Sequence, residues 1–269
     1  MIIGIFDSGI GGLTVLKKAL EFLPNTEYIY YADIKNVPYG VKQKHEVKDY
    51  VFNAFDFLSQ KGIRIAVVAC NTATSVAISE LRRRYSFPII GMEPAIKPAI
   101  STNSGKKILV LATSLTLRES KLRELISSLD KKQRIRKLDM DRLVSYAEGF
   151  NFNSDEVALY IREQLSAIDL SEYETIVLGC THFIYFSDLI QKIAGRDISI
   201  IDGNEGTVRN LVRTIEEKGF AEECKSGKGG IRFYSSGMED TADRVAKLLQ
   251  LLRPGTEKEP RQITQSSCI

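Results

Sequence analysis

Two cysteines, each at the end of an apolar run, are the residues of this chain best placed to do chemistry. Cys70 follows Ile65-Ala66-Val67-Val68-Ala69, and Cys180 follows Thr175-Ile176-Val177-Leu178-Gly179, 110 positions later. Two thiols on opposite walls of one cleft suit a reaction that takes a proton from one face of a carbon and returns one to the other. His182 lies two residues beyond Cys180, and positions i and i+2 of an extended segment share a face. Cys70 precedes Asn71-Thr72, where a helix is expected, and the positive end of a helix dipole favours a thiolate. The same reading holds for Cys180 if a helix begins near Phe186. Taken singly, either cysteine reads as a buried, inert side chain. The repetition is what points to chemistry.

Other polar clusters also sit at strand ends. Asp7-Ser8-Gly9-Ile10-Gly11-Gly12 follows the first apolar run and opens a helix, so its glycines and free amides suit an anion. It is not a dinucleotide fingerprint, because Thr14 stands at the third glycine position, and it lacks the lysine of a phosphate-binding loop. A small carboxylate fits it better. Asp7 reads equally as a turn or cap residue and as a catalytic carboxylate. Thr113-Ser114 ends another run. Pro38-Tyr39-Gly40 reads as a turn able to turn a phenol or backbone amides toward the cleft. Glu148 closes a helix before Gly149 and by itself passes for a surface carboxylate. His45 reads as a surface residue at a helix start, and Cys224 and Cys268 as unreactive. Cys180-x-His182 lacks the second ligand pair of a zinc site. Neither a papain-like protease nor a phosphatase loop fits, since Val76 stands where the loop's arginine is required.

The elements that must position these residues alternate. Strands are expected at 2–6, 28–31, 65–69, 88–91, 108–112, 135–139, 175–179 and 198–202. Amphipathic helices are expected at 13–23, 44–60, 74–85, 117–129, 154–167 and 206–218. Runs that are apolar throughout suit strands covered on both faces, so the fold class is α/β with doubly wound parallel sheets. Glu93-Pro94 to Lys107 marks a boundary, and the second half restarts with Ile108-Leu109-Val110-Leu111-Ala112-Thr113, echoing Ile2 to Ser8. Two similar α/β halves related by pseudo-symmetry follow, with residues 253–269 as a polar tail.

The 269 residues are 43% apolar and 26% charged, and 37 basic against 34 acidic residues leave a net charge of +3. That is an ordinary globular composition, without the clustered basic charge of a nucleic-acid binder. No apolar stretch reaches the length of a membrane span. Four cysteines without framework spacing and an N-terminus without a leader make a reducing cytoplasm the expected location.

Ile5 through Val15, Tyr31-Ala32-Asp33 with Val37-Pro38-Tyr39-Gly40, Ala69 through Ala73, and Leu178-Gly179-Cys180-Thr181-His182-Phe183 together closely resemble glutamate racemase, of the aspartate/glutamate racemase family. The resemblance covers about residues 2–218 in order. It implies that Cys70 and Cys180 are the two catalytic bases, that Asp7 and His182 assist them, and that Glu148 orients the histidine. It assigns substrate contacts to Asp7, Ser8, Pro38, Tyr39, Gly40, Asn71, Thr72, Thr113, Thr116, Thr181 and His182. It implies a domain of residues 1–97 plus about 207–252, a second of 98–206, and an active site between them. No cofactor and no metal are implied. The partner is glutamate, with D-glutamate serving peptidoglycan, and homodimers are common in the family. Aspartate racemase, a one-cysteine decarboxylase and a non-catalytic binding protein are the rivals. Some members carry an N-terminal extension tied to activation by a cell-wall precursor; this chain starts at the first strand, so that regulation is not expected. One departure stands out: the family follows Phe183 with proline and leucine, whereas this chain has Ile184-Tyr185-Phe186.

Overall fold

The structure, a computed structural model, describes residues 1–102 and 104–252; the expected tail and Cys268 lie outside them. Among the described residues ten strands run in chain order: β1 Ile2–Asp7, β2 Glu27–Ala32, β3 Ile65–Val68, β4 Ile89–Gly91, β5 Lys107–Ala112, β6 Ile135–Asp139, β7 Tyr173–Leu178, β8 Ser199–Asp202, β9 Gly230–Ser235 and β10 Met238–Glu239. They form a six-stranded sheet, β10-β9-β2-β1-β3-β4, and a four-stranded one, β6-β5-β7-β8. Every pairing is parallel except β9 with β10.

The order second, first, third, fourth occurs twice, once as β2-β1-β3-β4 and once as β6-β5-β7-β8. Backbone bonds just beyond the strands repeat too. Asp33 N–H donates to the Asp7 carbonyl at 3.1 Å, as Met140 N–H does to Ala112 at 3.1 Å. Ala69 N–H donates to Phe6 at 2.8 Å, as Gly179 N–H does to Leu111 at 2.7 Å. Asp7 and Ala112 are thereby equivalent, so Ser8 corresponds to Thr113 and Cys70 to Cys180.

The apolar runs are buried on both faces, as parallel sheets require. Ile3 and Ile5 belong to one core, Phe6 to another with Ile29 and Phe55. In the second sheet Leu109 and Leu111 join the core of Ile3 and Ile5, while Ile108 and Val110 face Leu122 and Val177. One apolar core is thus shared by the two sheets and fixes their strand ends against each other. Each such buried side chain contributes about 1.5–3 kcal/mol.

Three expectations change. The helix expected at 117–129 is two helices, Ser114–Arg118 and Ser120–Leu129, because Glu119 takes an extended backbone. Its buried carboxylate meets Lys44 of the helix Lys44–Ser59 at 2.5 Å. The helix after Cys70 spans Asn71–Arg84 and starts at the residue next to the thiol. β6 is an edge strand whose Arg136 and Lys137 are exposed, so it is not apolar throughout. β9, β10 and the helix Ala242–Leu252 add to the expected elements.

At Gly179 an added Cβ would stand 2.9 Å from the Leu111 carbonyl oxygen. Gly179→Ala must therefore push β7 from β5 just before Cys180. Urea unfolding is expected to show a loss of about 1–3 kcal/mol, the usual cost of overpacking a tight site.

Candidate active site

The ends of β1, β3, β5 and β7 converge, and most residues singled out from the sequence meet there. Asp7 closes β1, fully buried, and its Oδ1 accepts the Gly9 N–H at 2.8 Å. Its Oδ2 accepts the Thr181 hydroxyl at 3.1 Å, a bond between the two halves. Cys70 caps the helix Asn71–Arg84, with its Sγ accepting the Ala73 N–H at 3.4 Å and lying 3.7 Å from Ser8 Oγ. Cys180 is followed at once by a 3-10 turn, Thr181–Phe186. Its Sγ lies 3.9 Å from His182 Nδ1, and His182 Nε2 lies 2.7 Å from Glu148 Oε1. Glu148, which passes for a surface carboxylate in sequence, instead completes a hydrogen-bonded row, Cys180–His182–Glu148.

The loop after β1 is threaded through this row. Ile10 N–H donates to Glu148 Oε1 at 2.7 Å, and Gly11 N–H faces His182 Nε2 at 3.3 Å. A Cβ on Gly9 would overlap the Glu148 carboxylate, and one on Gly11 would overlap Thr181 and His182. The glycines there serve close approach rather than left-handed backbone.

Thr72, Thr113 and Thr116 form a buried ring of hydroxyls, with separations of 2.9, 3.1 and 2.9 Å. Asn71 is buried, and neither its amide oxygen nor its amide nitrogen has a partner in the protein. Such a group costs about 1–3 kcal/mol unless something else bonds it. Gly40 lies so close to Thr113 and Asp141 that a Cβ there would overlap both. Pro38 precedes the turn Tyr39–Val41 that brings Gly40 into place.

Tyr39 is anchored within the first half: its phenol donates to Asp33 Oδ2 at 2.6 Å, its ring packs near Phe6 and Tyr50, and it shares a core with Cys70. His45 is exposed and Cys224 is buried away from these groups.

Sequence reading passed over four contributors. Asp33 follows β2 and also accepts Asn36 and Ser236, anchoring the 33–40 loop. Asp141, beyond β6, accepts the Ser114 N–H at 3.1 Å. Both carry the strand-end signal that marked Asp7. Tyr30 and Tyr185 donate to the carbonyls of Gly9 and Ile10, at 2.6 and 2.9 Å. No local pattern announces those bonds.

This constellation can be set beside known proteins. Residues 13–211 match the sequence profile of the Asp/Glu/hydantoin racemases. The chain belongs to the Asp/Glu/hydantoin racemase family. It is an enzyme, an amino-acid racemase, and its relatives are close. A glutamate racemase of Halothermothrix orenii is 53% identical over 253 residues, covering 94% of this chain and 99% of that protein. A crystal structure of a Bacillus anthracis glutamate racemase isoform superposes with a TM-score of 0.82 at 27% identity, over 93% of this chain and 92% of the other. A Francisella tularensis glutamate racemase solved in complex with D-glutamate gives 0.77 at 26% identity, over 93% and 92%.

The electrostatics of this racemase correct one expectation. A helix N-terminus was to favour the Cys70 thiolate, yet burial pushes that thiol up to about 12, with Asp7 adding to the rise. The Ala73 N–H and Ser8 bonds oppose this and do not overcome it. Desolvation dominates because the whole side chain is out of water. Burial likewise raises the Asp7 carboxyl, against the pull of His182 and the Gly9 bond. Burial acts to lower His182, but the bonds to Cys180 and Glu148 and the charge of Asp7 outweigh it and hold the imidazole well above its usual range. No helix among the described residues is long and apolar enough to cross a membrane.

Asp7 gives a stability prediction with a definite sign. Its folded pKa exceeds the unfolded 3.8, so the folded state binds more protons and this group's contribution is lost as pH rises. Asp7→Asn should therefore melt higher than wild type at pH 7, while the two converge below about pH 4. Thermal melts across pH 3–8 check this.

Proposed function

We propose that this racemase interconverts L- and D-glutamate, with Cys70 and Cys180 as its two bases. The observation that carries the reading is the pair of thiols on equivalent strand ends, each beside its own acid–base group. The identity to glutamate racemases and the D-glutamate complex of the Francisella relative support glutamate as substrate. Supply of D-glutamate for peptidoglycan, in the cytoplasm, follows from that activity.

The Cα–H of an amino acid is a very weak acid, so the cleft must supply both a base and charge stabilisation. Cys70, held as a thiol by burial, becomes a base when a bound α-ammonium brings positive charge beside it. Asp7, its own pKa raised, accepts the thiol's proton. The Cys70 thiolate then takes the Cα proton from one face, and the Cys180 thiol delivers its proton to the other. His182, oriented by Glu148, restores the proton to Cys180. The reverse reaction runs the same steps backward. Asn71 and Ser8, with the hydroxyls of Thr72, Thr113, Thr116 and Thr181, bind the charged ends of the substrate. Asn71 is the clearest candidate, since its amide has no partner in the protein. No cofactor enters these steps, because the thiols and fixed dipoles do the work by position.

We assign residues 1–97 with 207–252 to one domain and 98–206 to the other. The seat of β9 beside β2 and of β5 through β8 in a separate sheet supports that division.

Circular dichroism on L-glutamate tests the activity: the signal should decay to zero as the racemate forms. No decay with glutamate but decay with aspartate would replace the substrate assignment. Cys70→Ala and Cys180→Ala should each lower racemisation by about 10²–10⁴-fold. Deuterium wash-in from heavy water distinguishes the bases, and a wild-type rate in either variant ends the two-base reading. Asn71→Ala is expected to raise KM about tenfold, the loss of roughly one good hydrogen bond.

A further inference from the structure

The departure at Ile184-Tyr185-Phe186 places a phenol where it reaches the other half of the molecule. Tyr185, packed against Phe152 with centroids 4.9 Å apart and ring planes tilted by 37°, donates to the Ile10 carbonyl at 2.9 Å. That carbonyl belongs to the Ile10–Gly11 peptide unit, whose other end is the Gly11 N–H facing His182 Nε2 at 3.3 Å. The preceding peptide unit is held in the same way. Tyr30 donates to the Gly9 carbonyl at 2.6 Å, and the N–H of that unit, from Ile10, donates to Glu148 Oε1 at 2.7 Å. Each phenol thus grips the oxygen of one planar peptide, and the opposite end of each plane faces one member of the His182–Glu148 pair. A peptide unit is rigid, so fixing its carbonyl fixes where its N–H points.

We propose that Tyr185 is a positioning residue for the racemisation, setting the hydrogen-bonding state of His182 through the Ile10–Gly11 peptide. The inference rests on the two-base reading above and deepens it. A proton on His182 Nε2 is donated to Glu148, and the Gly11 N–H then meets the same nitrogen as a second donor. Tyr185 keeps that competing dipole in place, so the ring is poised between partners that favour and disfavour its protonation. Three ionisable groups face the ring: Asp7 from the end of β1, Glu148 from the helix Arg142–Glu148, and Cys180 beside it. Only the Gly11 dipole is governed by Tyr185. Nothing in the local sequence links Tyr185 to a loop 175 residues away.

The chain has two histidines, His45 and His182, which makes the test direct. His45 is exposed, at the start of the helix Lys44–Ser59. Long-range ¹H–¹⁵N spectra of wild type and Tyr185→Phe, recorded without substrate at one pH, should show the His182 Nε2 resonance displaced and both His45 resonances unmoved. An undisplaced Nε2 overturns the proposal, whether or not the protein racemises glutamate, so this failure is separate from failure of the functional reading. Phe152→Leu disturbs the same packing but keeps the hydroxyl, and it should leave Nε2 in place. Equal displacement in both variants would assign the effect to packing and overturn the role of the hydroxyl. In turnover, Tyr185→Phe should lower kcat about threefold to tenfold with KM within twofold. A loss confined to KM would overturn it too.

Discussion

One contact between the two halves is made by backbone, and the site depends on it. Peptide units 9–11, after β1, lie directly against Glu148, Thr181 and His182 of the other half, at distances that exclude a Cβ on Gly9 or Gly11. Side chains at those positions would separate the walls and break the row at its centre. The apolar core shared by Ile3, Ile5, Leu109 and Leu111 holds the sheets so that this contact can form. Non-directional burial supplies the approach, and a few directional bonds set its register.

Within that frame the cleft carries groups held away from their ordinary charge states. Cys70 is pushed up to about 12 and Asp7 is raised, both mainly by burial, while His182 is held high against it. Unpartnered Asn71 adds a polar group with no internal bond. His182, held high, contributes stability near neutral pH, whereas burial of the Asp7 carboxyl and of the unpartnered Asn71 amide imposes a cost. The surrounding cores, continuous on both faces of each sheet, offset it.

Much of this was legible in the chain. β1, β3, β5 and β7 each carry an apolar run covered on both faces, so their ends could be located, and Asp7, Cys70, Thr113 and Cys180 with them. The pieces that escaped lack a local signal. β9 begins among Gly227, Gly229 and Gly230 and carries Arg232, and β10 is two residues long, so neither has the apolar run of a buried strand. At the break, Glu119 pairs with Lys44, far away in sequence. The threonine ring needs Thr72 from one half and Thr113 and Thr116 from the other. The dipole argument for Cys70 failed for a different reason: it weighed one favourable interaction and omitted the larger cost of removing a thiolate from water.

The strand ends are equivalent by topology, but on the proposed two-base reading their helpers are not: an aspartate attends one thiol, and a histidine with a glutamate attends the other. In an achiral solvent a molecule and its mirror image have identical free energy. An equilibrium between them is fixed at one to one, and no arrangement of catalytic groups can tilt it. The inequality of Asp7 and His182 therefore cannot favour either product. It can only divide a single barrier unevenly between the two walls, setting how long the protein waits in each of its two protonation states between turnovers.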